Sequence, residues 1–151
     1  MKTLSVIFDS PENGWMKVAV SSFDSDVSFY ASDVPCDSLR GLVTVLDRML
    51  DGSAKEVVEW SLEPEYAEWV LVRDKDQIEL LVNCPSGTFP TFRYKGTAMK
   101  VIRSICKSLR DLQCDSAWQK PGASESIWSW DFPDDQLDVL LQRVRKAEQG
   151  H

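Results

Sequence analysis

Apolar and polar residues alternate in three early runs: Leu4, Val6 and Phe8, then Met16, Val18 and Val20, then Val27, Phe29 and Ala31. A period of two puts each set on one face of a strand. Between the first two runs stands Pro11-Glu12-Asn13-Gly14. Asn-Gly accepts the positive φ that a tight hairpin demands, so antiparallel pairing is predicted there. After Pro35 the period lengthens to Leu39, Leu42, Val43, Leu46, Met49 and Leu50. That stripe predicts a helix, with Asp37 as N-cap and Gly52 as its stop.

Three more strand-like runs follow, over about 56–62, 66–73 and 77–83, divided by Glu63-Pro64-Glu65 and Asp74-Lys75-Asp76. They predict a meander. With Val72 opposite Ile78, Val70 faces Leu80, and these four share one side while Trp69, Leu71 and Leu81 take the other. A strand apolar on both faces is either central and doubly covered, or offers one face to a partner.

Further helices are predicted from near Thr97 to near Cys114, on Val101, Ile102, Ile105, Leu109 and Leu112, and from Pro133 to about Glu148, on Leu137, Leu140, Leu141 and Val144. Asp131 is the expected N-cap of the last, with Asp134 in its first turn. Between these helices Trp118, Trp128 and Trp130 accompany a Pro121-Gly122 turn. The rings are expected to close an open end of the core, with Trp128, Trp130 and Phe132 pointing the same way.

The fold predicted is α+β: an antiparallel sheet of about six strands, in the order β-β-β-α-β-β-β-α-α, with helices mainly on one face. Trp60, Val70, Leu80, Leu42, Leu46, Ile102, Leu109 and Leu140 are the expected core. A chain of 151 residues with 43% hydrophobic and 27% charged residues suits one globular domain over 1–151.

Asp9 interrupts the first apolar run, and no later run approaches membrane-spanning length, so a cytoplasmic location away from membranes is expected. Cys36, Cys84, Cys106 and Cys114 form no C-x-x-C pair and read as reduced thiols.

The net charge of −7 is unevenly spread: residues 1–94 carry 8 Lys and Arg against 16 Asp and Glu, and residues 95–151 carry 9 against 8. An acidic surface repels phosphate backbones and attracts cationic proteins. The expected partner is therefore a basic protein and not nucleic acid.

Catalytic groups are sparse. The one histidine is His151, so mechanisms built on an internal imidazole have no candidate, and no phosphate-binding glycine loop is present. Cys36 precedes a helix, whose dipole favours a thiolate, but Asp37 beside it opposes that effect. Asp24-Ser25-Asp26 and Asp74-Lys75-Asp76 have metal-loop spacing without further ligands, and they read as turns. No metal or cofactor is expected.

Glu59, Glu63, Glu65 and Glu68 crowd around Trp60, Tyr66 and Trp69. Carboxylates with rings suit recognition of Lys and Arg. The same stretch also reads as a hairpin with Trp in the core and Glu in solvent, or as a glycosidase-like carboxylate pair with no sugar cleft to serve. The expected partner-binding residues are Glu59, Glu63, Glu65, Tyr66, Glu68 and Trp69. On the second helix Lys100, Arg103, Lys107 and Arg110 form a basic stripe that reads as a solvated face.

Phe29-Tyr30-Ala31-Ser32, Asp37-Ser38-Leu39 with Leu42, Leu46, Leu50 and Gly52, Trp60 with Glu63-Pro64-Glu65-Tyr66-Ala67-Glu68-Trp69, and Asp131-Phe132-Pro133 follow one another along the chain. In these motifs it resembles an uncharacterised family of small bacterial α+β domains, similar to the acidic immunity proteins of bacterial toxin systems. The resemblance implies a non-enzymatic domain that neutralises a toxin by binding it, and it carries over no functional residues. The alternative expectation is a scaffold subunit that self-associates, as a homodimer, through a sheet edge or the Trp69, Leu71 and Leu81 face. An enzyme using carboxylates or Cys36 is the third.

Overall fold

The computed structural model describes residues 3–118 and 127–150, which leaves Pro121, Gly122 and His151 outside the described residues. Seven strands form one antiparallel sheet in strictly sequential order: β1 (Ser5–Phe8), β2 (Trp15–Ser21), β3 (Asp26–Ser32), β4 (Lys55–Ser61), β5 (Tyr66–Asp74), β6 (Gln77–Asn83) and β7 (Phe92–Thr97). Helix α1 (Ser38–Leu50) connects β3 to β4, while α2 (Ala98–Gln113) and α3 (Asp134–Gln149) follow the sheet. The α+β class and the β-β-β-α-β-β-β-α-α order are as expected. The seventh strand is an addition: in Phe92–Thr97 only Phe92 and Tyr94 are buried, and two alternating residues are too short a signal to mark a strand.

Local chemistry sets the boundaries. The Glu12–Trp15 hairpin closes through Glu12 N–H to Trp15 O at 2.8 Å and Trp15 N–H to Glu12 O at 3.0 Å. Its two central residues sit at positive φ, Asn13 at 52° and Gly14 at 83°. Glycine suits the second position, because L side chains are strained at that φ and a Cβ on Gly14 would crowd an Asp33 carboxylate oxygen at 3.1 Å. Asp37 caps α1 by accepting from the Arg40 N–H, and Thr97 caps α2 by accepting from the Lys100 N–H. Gly52, at φ 97°, ends α1. Asp131 is not the cap of α3. Phe132 and Pro133 are drawn into the core, so the helix starts one step later, behind Pro133, with Asp134 and Asp135 at its positive end.

Helix α1 lies on β4, α2 spans β1, β6 and β7, and α3 packs across both helices. Because α2 touches both outer strands, the sheet curls around it, and Phe8 reaches across to Trp60 at 5.9 Å and Trp69 at 6.1 Å. Arg143 on α3 bonds Asp47 on α1 and Asp51 just past its end, which ties the outer helix down. Among the described residues no helix is long and apolar enough to cross a membrane.

The β5–β6 register runs one residue off the expected one. Leu71 pairs with Leu80, Val70 with Leu81 and Arg73 with Ile78. A two-residue turn at Lys75-Asp76 causes this, with Lys75 at φ 59°. A one-residue slip exchanges the faces of one strand relative to the other. Trp69, Leu71, Ile78, Leu80 and Val82 therefore share the helix-covered face, and Val70, expected in the core, lies with Val72 and Leu81 on the opposite face, half-buried. The remaining expected core residues are all buried.

Trp128 and Phe132 enter the core, and Trp118 packs edge-on to Phe132 at 5.3 Å. Trp130 points elsewhere, donating its indole N–H to Asp33 O at 2.6 Å. The Asp33 carboxylate receives Ser129 N–H and Oγ, both at 2.7 Å, so this segment is fastened to the end of β3.

Candidate functional site

The face of β4–β7 that carries no helix holds the acidic stretch. On it Glu59 of β4 and Glu68 of β5 stand directly opposite one another in the ladder. Opposed like charges destabilise a strand pair by roughly 0.2–1 kcal/mol. The ion pairs among the described residues leave Glu59, Glu63, Glu65 and Glu68 without a cation. Tyr66, 41% exposed, starts β5 opposite Ser61 on the same face.

Glu63 and Glu65 flank the turn that joins the two strands. Leu62 N–H bonds Glu65 O at 2.7 Å, the Glu63 carboxylate accepts from the Ser32 hydroxyl, and Glu65 Oε2 accepts from Thr88 Oγ1 at 2.8 Å. These bonds fix the turn to β3 on one side and to the loop before β7 on the other. Five of the six expected partner-binding residues thus share one continuous surface.

Trp69 does not belong to it. Its side chain is fully buried on the helix side, with its ring 5.4 Å from that of Trp60. Strand alternation explains the correction: Glu68 points outward, so its neighbour points in. For the same reason Trp69, Leu71 and Leu81 do not share one face. The uncovered face instead carries the row Val57, Val70 and Leu81, which the register aligns across three strands and Arg93 of β7 completes. Only the correct register reveals that row, and the Lys75-Asp76 turn lacks the Asn-Gly signature that announces a two-residue hairpin.

The other candidates are accounted for locally. In the turn around Asp24-Ser25-Asp26, Ser22 N–H bonds Ser25 O at 2.8 Å, and Asp74 pairs with Lys95 at 2.9 Å. Half-buried Cys36 sits 3.6 Å from Ser38 Oγ. Cys106 is buried on α2, and loss of water pushes its thiol up to about 12. Lys100, Arg103, Lys107 and Arg110 are all exposed, with Arg103 3.7 Å from Glu148 of α3.

Clefts occur on the helical side. One of about 590 Å³ between α2 and α3 is lined by Arg110, Arg145, Asp134 and Asp138, so its charges offset one another. Neither a family model nor a curated protein nor a solved structure matches the chain.

Proposed function

We propose that the chain is a non-enzymatic protein-binding domain, acting in the cytoplasm, that holds a basic partner on Glu59, Glu63, Glu65, Tyr66 and Glu68. The observation that carries this reading is the Glu59–Glu68 pair, opposed on an uncovered face with no ion-pair partner among the described residues. A cationic partner would relieve that repulsion, and the half-exposed Val57, Val70 and Leu81 beside it add apolar area to an otherwise polar contact. An immunity-type inhibitor of a basic toxin domain is the form of this reading that the resemblance favours.

The test is co-purification with the cationic products of neighbouring genes. A partner should be retained by the native chain, released by salt, and weakened about tenfold or more by Glu59→Lys with Glu68→Lys. Binding that survives this charge reversal unchanged rejects the site.

A second reading rests on the Val57, Val70 and Leu81 row itself, which in two copies could pack face to face. A strict monomer in light scattering at high micromolar concentration eliminates it.

A further inference from the structure

Four strand edges lack a full neighbour, and they are protected differently; on β4 the carbonyl of Glu59 accepts the Ser38 hydroxyl of α1 at 2.6 Å. At β1, the outward carbonyl of Val6 accepts the Ser108 hydroxyl of α2. At β7, the outer edge carries Arg93 and Lys95, and basic side chains deter further strand pairing. At β3 none of these devices is present.

Hydrogen-bond alternation identifies which groups β3 leaves open. Ser22 N–H bonds Ser25 O at 2.8 Å and Asp33 N–H bonds Gly14 O at 2.9 Å. In an antiparallel ladder the bonded positions recur every second residue, so Val27, Phe29 and Ala31 bond β2. Asp26, Ser28 and Tyr30 direct their N–H and C=O groups to the other side. There β4 meets β3 only at Ser32–Ser61. Among the described residues, the outward backbone groups of Asp26, Ser28 and Tyr30 have no hydrogen-bond partner. All three residues are exposed, Tyr30 at 61%.

The charges at the two ends of this edge are acidic, while Lys17 of β2 stands opposite Tyr30 in the ladder. Asp24 and Asp26 lie at its start, and Glu63, bonded to Ser32, lies at its end. None of the three has an ion-pair partner among the described residues. The Ser32–Glu63 bond also makes the edge continuous with Glu65, Tyr66 and the Glu59–Glu68 pair.

We propose that the partner is received by strand addition: an extended segment bearing Lys or Arg pairs with the β3 edge over Asp26–Tyr30, its side chains meeting the acids at both ends. Main-chain bonds then supply affinity, and charge supplies selection. The inference rests on the reading of the acidic face as the site of a basic partner, and it adds where that partner's backbone sits.

The probe is a synthetic peptide, Lys-Val-Lys-Thr-Lys-Val-Lys, with a version N-methylated at alternate residues that keeps the charge and loses the donors. In amide exchange followed by NMR, the unmethylated peptide should slow Ser28 and Tyr30 by about tenfold or more, while Val27 and Phe29 change little. The methylated peptide should bind about tenfold more weakly or worse. Ser28→Pro should abolish peptide binding, since the lost N–H bonds nothing within the sheet and edge strands tolerate Pro. Should that variant misfold, the methylated peptide on the native chain decides alone.

Unchanged exchange at Ser28 and Tyr30, or equal binding of both peptides, overturns the inference. So does protection that rises with protein concentration without peptide, which would assign the edge to a second copy. If Ser28→Pro leaves capture of a cationic protein intact while Glu59→Lys with Glu68→Lys removes it, strand addition is wrong and the acidic face stands.

Discussion

The two faces of β4–β6 obey different rules. Toward the helices Trp60, Trp69, Leu71, Leu80 and Val82 are fully buried. Away from them Val57, Val70 and Leu81 stay partly exposed and Glu59 opposes Glu68. The covered face tolerates a polar cost because packing outweighs it. The indole N–H groups of Trp60 and Trp69 find no acceptor among the described residues, a loss of about 1–3 kcal/mol each. Each ring still contributes more, since removing a buried Trp costs about 3–5 kcal/mol. The open face carries a smaller cost, with no ion-paired cation among the described residues to offset it.

The largest contrast should appear in thiol chemistry on α2. Cys106 faces the covered side with its thiol pushed up to about 12, whereas Cys114 at the helix end is exposed. A thiol pKa raised from the usual 9.0 to about 12 leaves about a thousandfold less thiolate at pH 8. In a native protein treated with a chromogenic disulfide reagent, Cys114 should react promptly and Cys106 only on unfolding. Prompt reaction of Cys106 would show that the covered face admits solvent.

Leu80 and Leu81 are adjacent in sequence and face opposite ways, so they compare the faces directly. Leu80→Ala should cost roughly 2–5 kcal/mol in urea unfolding. Leu81→Ala should cost about 1 kcal/mol or less, because its site is already partly wet. If Leu81→Ala matches Leu80→Ala, something covers the open face in solution, and the loss should then grow with protein concentration.

The elements readable in the sequence are those whose signals are local. Asp37 and Thr97 cap their helices through bonds to residues three positions on, and Asn13-Gly14 needs only its own backbone preferences. What escaped depends on distant pairing. The β5–β6 slip follows from Lys75 adopting positive φ without being Gly or Asn, and it moved Val70 out of the core. The acidic residues of the site were visible as composition, but the opposition of Glu59 and Glu68 is a property of register. The open β3 edge is less visible still, since it exists only because α1 carries the chain away and β4 returns to meet β3 at Ser32 alone.

The smallest expected effect bears most directly on the contrast between the faces. Glu68→Gln keeps the shape of the side chain and removes one of the two opposed charges. If the pair is a local cost, the variant should be more stable than the native chain by about 0.2–1 kcal/mol at neutral pH and low salt. The gain should shrink in about 1 M salt, where the screening length falls to roughly 3 Å. Glu59→Gln should give the same gain, and the double variant little more, because either single change already ends the repulsion. A destabilised Glu68→Gln would mean that its carboxylate makes a favourable contact within the chain, and the open face would lose the feature that separates it from an ordinary solvated surface.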